Sequence, residues 1–360
     1  MRMLDFPEEI LLKDILGIPV AVFIHSTKRG PALGGTRALN YSEMIDFFND
    51  GLKLSSAMTF KAIWARLPLG GGKAIINADG KEITNKEFTK RYAEFLNEIN
   101  AKKIKFITSV DIGCGEEFVD MVSQYTPYIT GRSVLIKGLG DPSPQTAKGV
   151  FLAIKTAVEL DGNTLQGKIC NVQGAGKVAM PLMKMLVKEG SFVYFSEKDG
   201  DPFAENKAQE AEKIGAIRVS ENGIYDLPCH IFIPCAIGGT MNKSTISRLS
   251  SLCRFVIGGA NNILNTPEDG ILLHQRKTFY VPDFIVNRWG LEWVTQEKNG
   301  VNNKLSAEDN LSDIQADVKN ILRISRAYNF APSELADIIS QKILDGKAKS
   351  IEDAYNNNLP

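Results

Sequence analysis

Two lysines in apolar, glycine-rich surroundings are the residues of this sequence that most strongly indicate chemical reactivity. Lys61 closes the run Met58–Lys61, and Lys73 follows three consecutive glycines, Gly70–Gly72. An ammonium buried without an anion is costly, so a lysine in such surroundings predicts an anionic partner from the protein or a substrate. In the alternative interpretation, Lys61 extends along its helix to solvent and Lys73 belongs to an ordinary surface loop.

A glycine-rich turn is the second feature that predicts chemistry. It has the pattern Gly174-x-Gly176-x-x-Ala179 and directly follows the short apolar run Ile169–Val172. Glycines at a strand-to-helix turn let the backbone approach a pyrophosphate, which the free amides and dipole of the helix N-terminus favour. The residues expected to contact a dinucleotide here are Gly174, Ala175, Gly176, Lys177, Val178 and Ala179.

The sequence after the turn completes a βαβ unit. A helix continues to Lys188, and a second strand, Phe192–Ser196, ends at Glu197, roughly 20 positions beyond the glycines. A carboxylate at this place can accept hydrogen bonds from the ribose hydroxyls of NAD. Because strand, turn, helix, strand and acid occur in this order, we expect a dinucleotide-binding domain that faces the two lysines.

The elements around Lys61 predict an N-terminal α/β domain. Residues 19–25 form an apolar run typical of a buried strand. Gly30–Arg37 is predicted to follow as a tight loop, in which the backbone at Gly34 can approach a ligand closely. Apolar residues spaced three and four apart predict a helix over Asn40–Lys61, with Lys61 on its packed side.

An aspartate follows the next predicted strand. The strand covers Ile104–Thr108 and leads into Asp111, at the place where open α/β sheets carry catalytic groups. The segment Leu67–Ile76 puts Lys73 at the mouth of another strand, after glycines that open room for a small molecule. Asp111 could instead cap the helix predicted over Glu117–Gln124, although it stands slightly early for that.

Three later apolar runs predict further strands of the dinucleotide-binding domain. They are Ile231–Pro234, leading into Cys235 and Ala236, then Phe255–Ile257, leading toward Asn261 and Asn262, and finally Phe279–Pro282. Because the carboxyl ends of parallel strands line the ligand crevice of such sheets, the residues that follow these strands are expected to line the cofactor site.

The order of the elements predicts an α/β fold with two domains. Residues 1–140, with 325–360 packing back, would form the catalytic and oligomerisation domain. Residues 141–324 would form a Rossmann-type NAD-binding domain. Two domains also agree with the length of 360 residues, which is long for a single core.

The composition excludes several classes of protein. The apolar fraction is 44%, and Lys+Arg equals Asp+Glu at 42 each, which argues against nucleic acid or a membrane as partner. Five scattered cysteines without CxxC spacing and three distant histidines predict neither disulfides nor a metal site. Residues 1–5 do not begin a signal peptide and no run is long enough to span a membrane, so a cytoplasmic protein is expected.

The motifs together resemble those of the glutamate/leucine/phenylalanine/valine dehydrogenase family, from about residue 20 to about residue 345. The segments that carry the resemblance are Gly30–Arg37, Ala57–Lys61, Leu67–Ala74, Asp111–Gly113, Pro142–Ala147, Val172–Gly174 and Pro234–Ala236. The resemblance implies reversible, NAD-linked oxidative deamination of an L-amino acid to a 2-oxo acid and ammonia. It also implies a homo-oligomer, either a dimer or an octamer.

The resemblance implies roles for individual residues. Lys61 would hold the substrate carboxylate, Lys73 would be the catalytic lysine, and Asp111 would carry protons. The other matched positions are Thr146 and Asn262, near the nicotinamide and the substrate amine, and the substrate-site residues Gly34 and Met58. A lysine is a base near neutral pH only if its pKa falls, and burial and the neighbouring Lys61 cation would both lower the pKa of Lys73.

Leu33 bears on the choice of substrate. Glutamate-specific members of the family have a lysine at this position, which pairs with the side-chain carboxylate of the substrate. Leu33 cannot form that pair. Burying a second carboxylate unpaired would cost several kcal/mol, so a branched-chain or aromatic amino acid is favoured over glutamate.

The sequence also departs from the family pattern. Asn287–Gly290 is Asn-Arg-Trp-Gly, where members usually have Asn-Ala-Gly-Gly or Asn-Ser-Gly-Gly. Two large residues therefore stand beside the expected pocket, which they could narrow or reshape. Lys177 and Lys198 leave some room for the 2′-phosphate of NADP, although Glu197 favours NAD.

Two other functions fit parts of the pattern. One is a different lysine–aspartate dehydrogenase, of the shikimate or methylene-folate type, which the block Gly70–Lys73 disfavours. The other is a non-catalytic descendant that binds a nucleotide or metabolite, which the large residues Arg288 and Trp289 would explain. Retention of both lysines and of Asp111 argues against that second alternative.

Overall fold

The computed structural model describes residues 6–198, 202–299 and 307–356, so residues 1–5, considered above for a signal peptide, lie outside it. The chain divides into two compact units. Unit 1 comprises Met1–Pro142, Leu291–Lys304 and Ile343–Ser350, and unit 2 comprises Ser143–Gly290, Leu305–Lys342 and Ile351–Pro360. The C-terminal part divides differently from the expected boundary, because only Ile343–Ser350 groups with unit 1.

Unit 1 is built on a mixed five-stranded sheet with the order β1-β2-β4-β3-β5 in the described residues. Its strands are β1 (Glu9–Ile15), β2 (Ile18–Ser26), β3 (Ala32–Leu39), β4 (Gly70–Asn77) and β5 (Phe106–Ser109). Its helices are α1 (Met44–Trp64), α2 (Gly80–Ile83), α3 (Lys86–Ile99) and α4 (Glu116–Ser123), with short 3-10 helices at Val134–Ile136 and Gln296–Asn299. The first three strands in this order pair antiparallel, and β4, β3 and β5 pair parallel.

The predicted tight loop at Gly30–Arg37 is wrong, because most of this segment is strand β3. A Cβ on Gly34 would lie 1.7 Å from the carbonyl oxygen of Gly72 on β4. Close packing of two strands, rather than a turn, therefore requires the glycine. Lys73 is likewise inside a strand, as the fourth residue of β4, and not at a strand mouth.

Helices cover both faces of the sheet of unit 1. Helix α3 presents buried aromatic residues, among them Phe88 and Tyr92, to a large apolar core that also includes β2. Helix α1 covers the opposite face, where Phe47 packs near Phe23 of β2. Gly51 permits this close approach, since a Cβ there would lie 2.2 Å from the Phe23 ring. The helix that carries Lys61 is therefore fixed directly on the sheet that carries Lys73.

Unit 2 contains a six-stranded parallel sheet with the order β11-β10-β9-β6-β7-β8 in the described residues. Its strands are β6 (Ile169–Gln173), β7 (Phe192–Ser196), β8 (Ile217–Val219), β9 (Ile231–Pro234), β10 (Phe255–Val256) and β11 (Phe279–Tyr280). Its helices are α5 (Ser143–Leu160), α6 (Ala179–Lys188), α7 (Pro202–Lys213), α8 (Lys243–Arg248), α9 (Pro267–Gln275), α10 (Asp283–Val286), α12 (Ala307–Tyr328) and α14 (Ile351–Asn356), with a 3-10 helix at Gly223–Tyr225. Helices α11 (Trp289–Thr295) and α13 (Pro332–Leu344) run across the boundaries of the units.

The strand order of unit 2 determines where a ligand could bind. The chain starts at the central strand β6, proceeds outward through β7 and β8, and then returns to the other side of β6 with β9. Such a reversal opens a crevice at the carboxyl ends of the central strands. Gly174 follows β6 and Cys235 follows β9 at this place.

The predicted two-domain α/β fold is confirmed. In the part of the chain that the structure covers, no helix is both long and apolar enough to cross a membrane.

Candidate active site

Lys73 and Asp111 form the centre of the polar site in unit 1. The Nζ atom of Lys73 lies 2.6 Å from Oδ2 of Asp111, and these side chains are 4% and 14% exposed. Lys73 is on β4, whereas Asp111 follows β5 in a narrow turn closed by hydrogen bonds with Cys114. The two residues that were predicted to be catalytic are therefore in direct contact.

Two glycines explain how these side chains fit together. A Cβ on Gly71 would lie 2.0 Å from the backbone nitrogen of Thr59, so β4 packs tightly on the turn of α1 that leads to Lys61. Lys73, two residues further along the strand, points to the same face of the sheet. On β3, a Cβ on Gly35 would lie 2.8 Å from the Cβ of Asp111, so the absence of a side chain there makes room for the aspartate.

The charges of this pair are unequally affected by their surroundings. Burial lowers the pKa of the Lys73 ammonium below its ordinary value of 10.5, Asp111 opposes this effect, and Arg37 adds to it. Burial alone would raise the pKa of the Asp111 carboxyl, but the cations Lys73 and Arg37 outweigh it and hold that pKa well below its ordinary value of 3.8. Asp111 is therefore a carboxylate at neutral pH, whereas the protonated form of Lys73 is destabilised.

Three residues beside this pair, Arg37, Asp50 and Tyr41, were not predicted from the sequence. Arg37 donates from Nε to Oδ2 of Asp111 at 2.9 Å and from Nη1 to Asp50 at 3.1 Å. Tyr41 donates its hydroxyl to the same Asp50 carboxylate at 2.7 Å. One signal was present in the sequence: Asp50 lies three residues after Phe47 and four before Leu54, both buried, on the apolar side of α1. An acid on that side requires a cation, for the same reason that a buried lysine requires an anion.

The other predicted substrate-site residues of unit 1 surround an apolar cluster. Lys61 is 9% exposed in the last turn of α1, so the alternative in which it extends to solvent is excluded. Leu33 is buried together with Ala62 and Ile107, and Met58 packs against the same cluster. A cation at a helix C-terminus beside an apolar cluster could hold an anionic group at one end of a ligand and a hydrocarbon group at the other. Binding of a substrate by these residues stays a prediction.

In unit 2, the glycine-rich turn has the geometry of a phosphate cradle. Gly174 has φ +94°, in the left-handed region that favours glycine. A Cβ on Gly176 would have no atom within 4 Å, which leaves open space above the turn. The amide of Ala175 donates to Oε2 of Glu197 at 2.6 Å, and Ala179 begins α6. The residues present therefore fit a dinucleotide, with Glu197 held at the turn.

The loops after β9 and β10 adjoin this turn. A Cβ on Gly174 would lie 3.1 Å from the Cβ of Ala236, and a Cβ on Gly259 would lie 2.7 Å from Val178 and 3.4 Å from the sulfur of Cys235. These contacts bring most of the predicted cofactor residues to one edge of the sheet. Thr146 is half-buried in the first turn of α5, and Lys177 is exposed. Contact of these residues with a cofactor stays a prediction.

Two asparagines on the β10 loop are held by their own hydrogen bonds. Asn262 has a left-handed φ of +53°, and its backbone amide donates to Oδ2 of Asp283 at 3.0 Å. Asn261 accepts a hydrogen bond of 3.1 Å from the side chain of Asn287, which also donates to the carbonyl of Gly259 at 3.3 Å. Asn287 thus fixes the loop that contains both predicted ligand-binding asparagines.

The large residues that depart from the family pattern contact helices of unit 2. The guanidinium of Arg288 is fully buried and lies 2.6 Å from Asp317 on α12, whose side chain is 1% exposed. The indole of Trp289 is 3% exposed, with the ammonium of Lys148 on α5 at 5.3 Å from the ring centre. Within unit 2, these side chains therefore pack between helices, with an anion supplied for Arg288.

Comparisons with known proteins identify the family of the chain. Residues 18–128 match the family described as Glu/Leu/Phe/Val dehydrogenase, dimerisation domain, and residues 196–342 match Glutamate/Leucine/Phenylalanine/Valine dehydrogenase. The chain is 32% identical to the leucine dehydrogenase of Geobacillus stearothermophilus, over 97% of this chain and 94% of the relative. It is 35% identical to the phenylalanine dehydrogenase of Caldalkalibacillus thermarum, over 79% of this chain and 77% of the relative.

Solved structures share the fold. The crystal structure of L-tryptophan dehydrogenase from Nostoc punctiforme has a TM-score of 0.72 at 30% sequence identity, covering 98% of this chain and 96% of that chain. The hetero-hexameric glutamate dehydrogenase from Thermus thermophilus has a TM-score of 0.75 at 19% identity, covering 98% and 91% of the two chains, and supports the fold alone.

The buried pair Arg288–Asp317 predicts a coupled effect on stability. Asp317→Leu leaves a buried guanidinium without this anion, so the free energy of unfolding should fall by about 3–5 kcal/mol. The double variant Arg288→Met, Asp317→Leu removes both charges and should regain most of that loss. Urea unfolding followed by circular dichroism measures both values. Asp226→Asn, which breaks the exposed pair with Arg248, is the control and should cost less than about 1 kcal/mol. Equal losses in the single and double variants would contradict the prediction.

Proposed function

Because the chain belongs to the Glu/Leu/Phe/Val dehydrogenase family of amino acid dehydrogenases, oxidoreductases that act on CH–NH2 groups, we propose that it catalyses reversible, NAD-dependent oxidative deamination of an apolar L-amino acid to its 2-oxo acid and ammonia. The observation that carries this proposal is the buried Lys73 ammonium, bonded to Asp111 at 2.6 Å. It supplies a base with a lowered pKa next to a carboxylate that stays charged.

The residues of unit 1 support the chemical steps. NAD held by the turn Gly174–Ala179 would supply the acceptor for the hydride of the substrate Cα. The iminium that this leaves on the substrate must then be attacked by water. Neutral Lys73 takes the proton from that water as its oxygen bonds to the carbon. Asp111 stabilises the lysinium that forms, and the proton that Lys73 took from the water can then be delivered to the departing amine, which leaves as ammonia. Lys61 would hold the substrate carboxylate, and thereby the orientation of Cα.

The apolar cluster around Leu33 supports an apolar substrate side chain. Its buried members are Leu33, Ala62, Ile107, Leu291 and Val294, with Met58, Leu67, Leu69 and Trp293 partly buried against them. None of these side chains is charged, so a second substrate carboxylate would find no cation among them. The relatives named above act, by their names, on leucine, phenylalanine and tryptophan, which supports a branched-chain or aromatic substrate.

The cofactor is proposed to be NAD rather than NADP. The family uses NAD(P), and the difference between the two lies in the group on the ribose. Glu197 directly follows β7. Its carboxylate would repel a 2′-phosphate, whereas it can accept hydrogen bonds from the ribose hydroxyls. Turnover with each cofactor at equal concentration tests this proposal, and preference for NADP would reject it.

The Lys73→Ala variant tests the proposed mechanism. It should keep the fold and the binding of NAD but lose about 10²–10⁴-fold in kcat, because the base is absent. NADH formation at 340 nm over a panel of L-amino acids measures the activity, and calorimetry measures NAD binding. Lys53→Ala, which removes an exposed lysine from α1, is the control and should retain activity. Turnover like that of the wild type in Lys73→Ala would reject the mechanism, and a silent wild type over the whole panel would favour a non-catalytic descendant.

The Leu33→Lys variant tests the proposed substrate class. The new ammonium can pair with the side-chain carboxylate of glutamate, and a hydrogen bond between charged groups contributes about 1.5–3 kcal/mol. The ratio of kcat/KM for glutamate to that for leucine should therefore rise about 10- to 100-fold. Leu33→Met keeps the volume and the apolar character, so its ratio should stay near that of the wild type. An unchanged ratio in a folded Leu33→Lys protein would show that Leu33 does not face the substrate side chain.

The chain is proposed to form a homo-oligomer through unit 1, which contains the matched dimerisation domain. The edge strand β1 exposes Ile10 and Leu12, at 40% and 61%, on one face of the sheet. Leu12→Lys should weaken self-association because it puts a charge into an apolar contact, and sedimentation velocity measures the effect. Ile217→Lys alters an equally apolar residue, 49% exposed, on the edge strand β8 of unit 2, and should not. An unchanged association state in Leu12→Lys would exclude this face.

A further inference from the structure

Beyond Lys73 and Asp111, the polar groups of unit 1 continue as a chain of alternating charge. Oδ2 of Asp111 accepts from Lys73 Nζ at 2.6 Å and from Arg37 Nε at 2.9 Å. The other side of the same guanidinium donates from Nη1 to both oxygens of Asp50, at 3.3 and 3.1 Å. The hydroxyl of Tyr41 then donates to Asp50 at 2.7 Å. The backbone amide of Tyr41 donates to the side-chain oxygen of Asn77 at 2.8 Å.

We propose that Arg37, held by Asp50 and Tyr41, is a positioning residue that fixes the Asp111 carboxylate against Lys73 and sets the pH at which Lys73 becomes a neutral base. This inference deepens the function proposed above and rests on it. Arg37 itself would not touch the substrate.

The geometry shows what Arg37 does for Asp111. The aspartate lies in a turn after the short strand β5, outside the ladder of sheet hydrogen bonds. Arg37 comes from the neighbouring strand β3, and its planar guanidinium bonds two carboxylates at once, one in that turn and one on α1. The side chain of Arg37 is 11% exposed, so water competes little for these bonds. Because Nη1 of the planar guanidinium is anchored on Asp50, Nε is presented to Asp111 in a fixed direction, which a flexible lysine side chain could not provide.

The charged and titratable groups around Lys73 come from several elements. The turn after β5 contributes Asp111 and the buried thiol of Cys114, β3 contributes Arg37, and α1 contributes Asp50. The residue opposite Lys73 on β2 is Phe23, which has no charge. Arg37 disfavours the protonated form of Lys73, whereas Asp50 favours it. The two ends of the Arg37–Asp50 pair therefore act on Lys73 with opposite signs.

These opposite signs give a sharp test. Arg37→Gln removes the cation, so the pKa of Lys73 should rise. Asp50→Asn removes the more distant anion, so the pKa should fall by a smaller amount. The pKa of Lys73 can be measured in the full-length protein from the pH dependence of its acetylation by acetic anhydride, read by mass spectrometry against exposed lysines. In parallel, the acidic limb of kcat/KM against pH should shift in the same direction in each variant.

Three further variants separate positioning from structural support. Arg37→Lys keeps the charge without the fork, so the pKa of Lys73 should stay near that of the wild type while kcat falls. Tyr41→Phe keeps every charge and removes one hydrogen bond, so the acidic limb of kcat/KM against pH should hardly move. Arg91→Gln removes an exposed arginine that pairs with Glu87 on α3, and neither readout should change. Thermal unfolding of each protein identifies a variant that has lost its fold.

The outcomes distinguish this inference from the function on which it rests. Opposite shifts in the acetylation pKa support the arrangement even if the wild type shows no deamination, in which case the proposed function fails alone. An acetylation pKa of Lys73 that is the same in folded Arg37→Gln, folded Asp50→Asn and wild type overturns the inference, whatever the activity. Lower thermal stability of Arg37→Gln with an unmoved acidic limb of its kcat/KM profile would also overturn it, because Arg37 would then serve the fold only.

Discussion

The burial of the Lys73 ammonium is the constraint on which the arrangement of unit 1 depends. Removing an ion from water costs several kcal/mol even after relaxation of the protein, and a nearby counter-ion compensates only with good geometry. Asp111 supplies that counter-ion at 2.6 Å, and Arg37 stabilises the aspartate in turn. The glycines of β3 and β4 follow from the same requirement, since a side chain at Gly35 or Gly71 would separate the strands, the helix and the aspartate.

The charge balance of this group is suited to the proposed reaction. Arg37 contributes +1, and Asp111 and Asp50 contribute −1 each, so the group has a net charge of −1 when Lys73 is neutral and 0 when Lys73 is protonated. Loss of hydride from Cα produces a cationic iminium, which a neighbouring net negative charge stabilises. Protonation of Lys73 as water attacks then neutralises the group at the stage when the cation on the substrate disappears. One set of fixed charges therefore serves both steps.

The sequence predicted the two units unequally because their signals differ in range. The dinucleotide turn of unit 2 is local: strand, glycines, helix and acid lie within one βαβ segment, and each element appears where it was predicted. In unit 1 the glycines of Gly30–Arg37 indicated a turn, since glycine prefers turns, whereas tertiary packing placed Gly34 and Gly35 in a strand. The link from Arg37 to Asp111 joins residues 74 positions apart, and no periodicity in a single sequence encodes such a pair. Asp50 was the accessible clue, as an acid on an apolar helix face.

The departure from the family pattern at Arg288 and Trp289 is accommodated within unit 2. A buried guanidinium needs an anion, and Asp317 on α12 provides one at 2.6 Å. Gly149 on α5 lets that helix lie close to the segment before Trp289, because a Cβ there would lie 2.9 Å from the carbonyl oxygen of Val286. Asn287 meanwhile keeps its hydrogen bonds to the loop that contains Asn261. The proposal of an apolar substrate therefore depends on the cluster around Leu33 in unit 1 and not on these two residues.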